Sequence, residues 1–158
     1  MTTADAKATK EAKELLKYLR GVAGQQIITG QHTQTIPCEE ITYIREKTGK
    51  EPKLRGFELL AYSPNINYAD ASPECLKEVE ENKGTAEMAL QWAKEQRKTG
   101  NEGVLTFSFH WFSPLGGRDK SFYTEYTDFD ARKVLQEGTP ERAAFYHDMD
   151  VIAEILQQ

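Results

Sequence analysis

The chain has 158 residues and a formal net charge of −5 at pH 7. An acidic chain without a run of Lys and Arg is a poor nucleic-acid binder, because neutralising phosphates requires clustered basic side chains. No apolar run approaches the roughly 20 residues that a membrane-spanning helix needs, so we expect no membrane segment. The length suffices for one domain with its own core, and residues 1–158 are predicted to form a single domain.

Cysteine and histidine usage argues against metal and disulfide chemistry. Cys38 and Cys75 stand alone, without a Cys-x-x-Cys pattern, so neither a disulfide framework nor a structural zinc site is expected. His32, His110 and His147 lack a His-x-x-x-His spacing, and we expect no metal and no cofactor. The N-terminus lacks the basic start and apolar stretch of a secretion signal, which indicates a cytosolic protein or one whose signal has been removed.

The first part of the chain alternates between helix and strand. Apolar residues recur at spacings of four and three over 5–20, which predicts a helix. The β-rich run 26–30 predicts a strand that opens into a polar loop at Gln31 and His32. A second helix is predicted to start at Thr35-Ile36-Pro37 and to close at Gly49.

The alternation continues through the middle of the chain. A second strand is predicted over 54–62, and a polar loop with a short helical turn after Ser72-Pro73 over 65–84. Thr85 is expected to cap a helix that ends near Lys98, before the most apolar strand, 103–109.

A long excursion over 113–138 precedes the last predicted element. Thr139-Pro140-Glu141 combines a cap, a proline and an acid at a helix start. The apolar stripe predicted for this helix is Phe145, Met149, Ile152 and Leu156. Strands that alternate with helices predict a parallel sheet with right-handed crossovers.

Candidate binding residues lie where the predicted strands end, because loops at the carboxyl ends of parallel strands carry the sites of β/α folds. His32 follows the first strand, Tyr62 the second, and His110 and Trp111 the third, while Tyr123 lies on the long loop after it. An imidazole can hydrogen-bond a sugar hydroxyl, and an indole offers an apolar plane to its C–H face. A buried histidine that bonds a backbone carbonyl beside a core tryptophan fits the pattern equally well, so both interpretations stay open.

Carboxylates matter because glycoside cleavage generally uses two of them. Glu58 lies in the second strand, where it can face a barrel interior, and Glu125, Asp128 and Asp130 lie on the long loop. None carries a motif that marks a general acid or a nucleophile. An ion pair for Glu58 and solvation for the loop acids are the expected roles.

Several motifs occur in the order seen in glycoside hydrolase family 26, and the resemblance runs from about residue 11 to residue 158. The matching segments are Gln31-His32, Gly56-Phe57-Glu58-Leu59-Leu60 with Tyr62-Ser63-Pro64, Leu105-Thr106-Phe107-Ser108-Phe109-His110-Trp111, Phe122-Tyr123-Thr124, Thr127-Asp128-Phe129-Asp130, Gly138-Thr139-Pro140-Glu141 and Asp148-Met149-Asp150. Their common order makes the resemblance far more specific than any single motif.

The resemblance implies an α/β fold, namely a (β/α)₈ TIM barrel, of which this chain supplies the first three β/α units after an N-terminal helix. It also implies hydrolysis of β-1,4-mannosidic linkages by a retaining mechanism with two glutamates, near the ends of strands four and seven. Both positions lie beyond residue 158, so the resemblance implies no catalytic residue in this chain and no activity of the chain alone.

The family motif suggests sugar contact for His110, while Trp111 is a second candidate that can instead pack under the site. His32, Tyr62 and Tyr123 are candidates by position only. The implied partner is β-mannan or a related β-linked polysaccharide, without a cofactor, and the family is mostly exported. A three-stranded piece of a barrel leaves open strand edges, so the rest of the barrel or self-association is also expected.

Three alternatives stay open. The chain can be a non-catalytic carbohydrate-binding or scaffold half-barrel, a fragment of a related β-glucanase or xylanase, or one chain of a split enzyme. The sequence does not decide which polysaccharide is bound.

Overall fold

The computed structural model describes residues 3–32, 37–101, 103–115, 117–120 and 123–157. Within them an open parallel sheet has the strand order β1-β2-β3, with β1 at Gly30–His32, β2 at Leu54–Glu58 and β3 at Val104–Ser108. The helices are α1 (Lys10–Val22), α2 (Glu39–Thr48), α3 (Pro73–Glu81), α4 (Thr85–Lys98) and α5 (Pro140–Leu156). No helix in this described part is long and apolar enough to cross a membrane.

The register of the sheet separates two faces. Because side chains alternate along a strand, Gly56 and Glu58 of β2 share a face with His32 of β1 and Ser108 of β3. We call this the inner face of the sheet. On the opposite face, Phe57 is fully buried, and its ring centroid lies 6.2 Å from that of Phe107. The opposite face of β2 therefore packs apolar side chains and contacts α4, whereas the inner face carries polar residues at the carboxyl ends of the strands and Leu54 and Val104 at their other ends.

The first strand lies four residues later than predicted. Ile27, in the middle of the predicted strand, is 92% exposed, whereas Gln31 and His32 pair with Arg55 and Gly56. The prediction was wrong because pairing with β2, and not local β propensity, decides which residues form the strand. His32 therefore ends β1 instead of lying in a loop.

The second strand begins where predicted but ends at Glu58, four residues early. One carboxylate oxygen of Glu58 accepts a hydrogen bond from the backbone N–H of Leu60, at 2.9 Å. The chain then turns into a 3₁₀ helix over Leu60–Tyr62. A side chain that bonds a nearby N–H offers the backbone an alternative to the sheet ladder, which explains the early end.

Cap residues made the region after β2 more helical than predicted. The Ser72 hydroxyl accepts the backbone N–H of Cys75 at 3.1 Å, and a nine-residue helix, α3, follows where only a short turn was expected. Thr85 is the first residue of α4 and not its cap, because Gly84 occupies that position. The α3 helix packs in a buried apolar cluster with members Leu60, Ile66, Cys75, Val79 and Phe112.

Of the remaining predictions, some are confirmed, one is partly wrong, and some fall outside the described residues. The third strand is confirmed to within one residue at each end, and Thr139 caps α5 as expected. In the predicted stripe of α5, Ile152 is buried but Leu156 is exposed. The predicted helix start at Thr35-Ile36 and the motif residue Phe122 lie outside the described residues.

Two acids, Glu141 and Asp148, share the buried side of α5 with Ile152. Asp148 is fully buried, and its Oδ1 accepts a hydrogen bond from Asn65 Nδ2 at 2.7 Å. Among the described residues its Oδ2 has no hydrogen-bond partner. Burial raises the pKa of Asp148 to about 6, and the Asn65 bond and the nearby His147 only partly oppose this rise.

We predict that Asp148 makes the chain less stable as the pH rises from about 4 to about 6. An aspartate in the unfolded chain titrates near pH ~3.9, so across this window the folded state binds the proton more tightly, and its advantage is lost as the carboxyl ionises. Asp148→Asn keeps the Oδ1 acceptor and removes the ionisation. As the pH rises from 4 to 7, the free energy of unfolding of Asp148→Asn should increase by about 2 kcal/mol relative to that of the wild type.

Urea unfolding at several pH values measures this difference. Asp150→Asn is the matched control, because Asp150 is an exposed acid on the same helix. If the unfolding free energy of Asp148→Asn depended on pH in the same way as that of the wild type, the prediction would be contradicted.

Candidate functional site

Four side chains meet at the carboxyl ends of the strands. His32 ends β1, Glu58 ends β2, Ser108 ends β3, and His110 follows two residues later. Parallel pairing brings Glu58 directly opposite Ser108. We call these four residues the rim network.

Glu58 is the centre of the rim network. It is 4% exposed, and its Oε1 accepts the backbone N–H groups of Leu60 and His110 at 2.9 and 3.0 Å. Its Oε2 accepts the Ser108 hydroxyl at 2.5 Å and His110 Nδ1 at 2.6 Å. Burial by itself raises the pKa of Glu58, but the hydrogen bonds from Ser108 and His110 outweigh it, and the net pKa is lowered. The carboxylate is therefore ionised at neutral pH.

The hydrogen bonds indicate which ring nitrogen of each histidine carries a proton. Ser108 Oγ lies 2.5 Å from the Glu58 carboxylate and 3.5 Å from the nearest carbonyl oxygen, so its proton belongs to Glu58. The same Oγ lies 3.0 Å from His32 Nε2, which must then donate. His110 donates from Nδ1 to Glu58. In its neutral form an imidazole has one donor and one acceptor nitrogen, so in that form His110 Nε2 and His32 Nδ1 are the acceptors.

A glycine allows His32 to reach across the sheet. Gly56 of β2 lies between His32 of β1 and Thr106 of β3 on the inner face, and Ser108 lies two residues further along β3 on the same face. A Cβ on Gly56 would lie 2.9 Å from His32 Cδ2 and 3.3 Å from Thr106 Cγ2. A Cβ here would require the imidazole ring or Thr106 to shift, so we expect the His32–Ser108 bond to depend on Gly56.

His110 and Trp111 point to different surroundings. The His110 side chain is 51% exposed and bonds a carboxylate, which differs from the buried histidine considered as an alternative. The Trp111 ring makes edge contacts with Phe129 and Phe145, with centroid distances of 5.1 and 5.7 Å. Trp111 thus packs against α5 and the long loop, while His110 faces solvent.

The two candidate tyrosines have other partners. The Tyr62 hydroxyl donates to Glu87 Oε2 at 2.7 Å and accepts the backbone N–H of Ala86 at 3.0 Å, so it is bound to the start of α4. Burial, with help from Glu87, raises the pKa of Tyr62 to about 12. Tyr123 lies on the long loop, with its ring centroid 6.3 Å from that of Tyr126.

Sequence reasoning missed Ser108 and Gly56, and it treated Glu58 only as a buried ion-pair partner. The signal that could have found them is register. Once residues 54 and 104 are aligned, Gly56, Glu58 and Ser108 fall on one face near one end. Among the described residues, no group of three or more His, Cys, Asp and Glu side chains is arranged to hold a metal ion.

Comparison with known proteins places this arrangement in a family. The family model of glycosyl hydrolase family 26 matches residues 4–158. A mannan endo-1,4-beta-mannosidase from Thermothelomyces thermophilus is 29% identical over 159 residues, which cover 96% of this chain and 29% of that protein. Mannan endo-1,4-beta-mannosidase A from a Piromyces species is 26% identical over 156 residues, which cover 96% of this chain and 24% of that protein.

Solved structures agree with the sequence comparison. The GH26-CBM35 β-(1,4)-mannanase of Podospora anserina superposes with a TM-score of 0.70 at 30% identity, covering 96% of this chain and 32% of that one. A ruminal GH26 endo-β-1,4-mannanase gives a TM-score of 0.71 at 28% identity, covering 99% of this chain and 32% of that one. The chain thus spans less than a third of the length of these relatives. The match over nearly the whole chain and the shared α/β fold confirm the resemblance: this chain belongs to glycosyl hydrolase family 26 and is similar to its mannanases.

Proposed function

We propose that this chain is the N-terminal part of a (β/α)₈ barrel, comprising its first three β/α units after α1. The parent enzyme hydrolyses β-1,4-mannosidic linkages in mannan-type polysaccharides by a retaining mechanism. The relatives are mannanases, and the chain spans less than a third of their length. The observation that carries the proposal is the rim network, which lies at the strand ends where barrel enzymes bind their substrates.

The open sheet supports the barrel part of the proposal. In the described part of the chain, β1 and β3 each pair on one side only, with β2 between them. The inner face lacks an opposite wall there, and Thr106 in the middle of β3 is exposed. A complete barrel pairs both edges and fills this interior with side chains. The remaining strands of the barrel are the partner that we propose for this sheet.

Glu58 is a positioning residue in this proposal and not a catalytic one. A retaining glycosidase needs a carboxyl group that donates a proton and another that attacks the sugar. Each oxygen of Glu58 already accepts two hydrogen bonds, the side chain is buried, and its pKa is lowered. Such a carboxylate is a weak proton donor and a shielded nucleophile. In this proposal both catalytic glutamates belong to the part of the barrel beyond residue 158, as the family resemblance implies.

His110 is the proposed sugar contact. His110 Nδ1 bonds Glu58, so in the neutral form of the half-exposed ring Nε2 is the acceptor nitrogen and suits a sugar hydroxyl that donates. His32 lies beside it through Ser108, and Trp111 supports the site from below by packing on α5. Tyr62 and Tyr123 stay predictions by position.

We predict that the 158-residue chain releases no reducing sugar from β-mannan, because both catalytic carboxyl groups lie outside it. The matched comparison is a longer protein that also carries the remaining strands of the barrel, which should hydrolyse mannan. Reducing-end assays on mannan, mixed-linkage glucan and xylan measure both. Turnover that scales with the concentration of the purified short chain would contradict the prediction.

The longer protein also separates the alternatives. Binding of mannan without hydrolysis would favour a carbohydrate-binding module. Preferential cleavage of glucan or xylan would favour a related β-glucanase or xylanase.

Removing the His110 imidazole should weaken oligosaccharide binding. We expect His110→Ala to weaken mannohexaose binding by about tenfold, the loss of roughly one good hydrogen bond, as measured by calorimetry on the longer protein. His147→Ala is the control, because His147 is an exposed histidine on α5. If the two variants bound mannohexaose with equal affinity, His110 would not be part of the binding site.

The place of His32 in the rim network should depend on Gly56. We expect Gly56→Ala to displace the His32 ring and to break its bond to Ser108, so that His32 becomes a mixture of tautomers while His110 keeps its proton on Nδ1. The ¹⁵N chemical shifts of the imidazole nitrogens report both states. Gly21→Ala is the control, since a Cβ there meets nothing within 4 Å. A His32 tautomer unchanged in Gly56→Ala would show that the ring does not need this space.

A further inference from the structure

The opposite end of β2 holds a buried positive charge. Arg55 is 6% exposed, and its guanidinium lies 5.1 Å from the Phe57 ring centroid and 5.4 Å from that of Trp92. None of the ion pairs between described residues includes Arg55. Its Nε is buried without a hydrogen-bond partner in the same part of the chain. A buried charge without an ion partner is costly.

A second buried donor lies beside Arg55. Trp92 of α4 is also 6% exposed, and its indole Nε1 has no hydrogen-bond partner among the described residues. Both side chains line the same cavity of about 530 Å³. Native proteins rarely leave buried N–H groups without an acceptor, so two in one cavity call for a ligand that brings acceptor atoms.

The charges around this cavity favour an anion. Its lining carries three cationic side chains, Arg45, Lys53 and Arg55, and two carboxylates, Glu51 and Glu95. Arg45 forms an ion pair with Glu51. Cys38 and Glu51 interact with the Arg55 charge, but neither forms an ion pair with it. A water molecule would satisfy the two N–H groups but would add no negative charge beside the guanidinium. An anion would do both.

We propose that this cavity, between α2 and α4, binds a small oxyanion such as phosphate, sulfate or a carboxylate. One oxygen accepts from Arg55 Nε and a second accepts from Trp92 Nε1. The guanidinium is suited to this because it is planar, stacks on aromatic rings and presents donors in a fork that matches oxyanions. Its stacking on Phe57 and Trp92 fixes that plane in advance.

The proposed anion site is separate from the rim network. Arg55 is the second residue of β2, and the lining residues Pro52 and Gly103 precede β2 and β3. Glu58 lies at the other end of the same strand. In a β/α barrel the N-terminal end of the strands serves stability and the C-terminal end serves catalysis. The bound anion should therefore stabilise the fold without contacting the sugar.

The two tryptophans of the chain supply the test and its internal control. Only Trp92 and Trp111 give indole N–H signals, and Trp92→Phe assigns them while it keeps an aromatic ring at the site. We expect phosphate, sulfate or acetate, added at constant ionic strength to the purified chain, to shift the Trp92 signal with saturation and to leave the Trp111 signal in place. The phosphate and acetate series distinguish a tetrahedral anion from a carboxylate.

Two variants complete the test. Arg55→Lys keeps the charge but loses the fork, and should weaken the binding by about tenfold. Trp92→Phe should abolish the rise in melting temperature that the anion gives to the unsubstituted chain. A Trp92 signal that does not saturate, or equal shifts produced by sodium chloride or at Trp111, would overturn the proposal and leave a cavity that holds only water.

Discussion

The arrangement of the strand ends depends on one buried carboxylate. Glu58 accepts four hydrogen bonds, two from backbone N–H groups and two from side chains of the neighbouring strand and the residues after it. The bond from Leu60 ends β2, and the bonds from Ser108 and His110 tie β3 and its loop to β2. A single acid thus determines where the second strand stops and how the third is aligned at the rim. Without it, the Ser108 hydroxyl and the N–H groups of Leu60 and His110 would have to find other acceptors.

The same carboxylate orients the two histidines, because it determines which groups of the rim network donate and which accept hydrogen bonds. Glu58 takes the only hydroxyl proton of Ser108, so Ser108 must accept from His32, and His110 must donate from Nδ1. Gly56 completes the arrangement by leaving room for the His32 ring. Each member has one role because the donors and acceptors match, and this is how a network preorganises exposed groups for binding.

The sequence predicted what local signals determine. The alternation of helices and strands, the Thr139 cap of α5 and the bounds of β3 follow from patterns within a few residues. The first strand was misplaced because its position is set by pairing with β2, which is distant in sequence. His32 and His110 were identified separately, by position. Their connection through Ser108 and Glu58 requires the register of three strands, which no single segment encodes.

The five residues of β2 meet opposite electrostatic demands at their two ends. At the carboxyl end, four hydrogen bonds converge on Glu58 and lower the pKa of this buried acid. At the amino end, Arg55 places a buried positive charge beside Trp92, and two donors there lack acceptors among the described residues. The alternation of side chains along the strand allows this, because Glu58 faces the inner side and Arg55 the helices. One strand can therefore carry a hydrogen-bonded carboxylate at the rim network and, toward its other end, a buried cation that forms no ion pair in the described part of the chain. The energetic cost of this cation is the physical reason to propose an anion beside it.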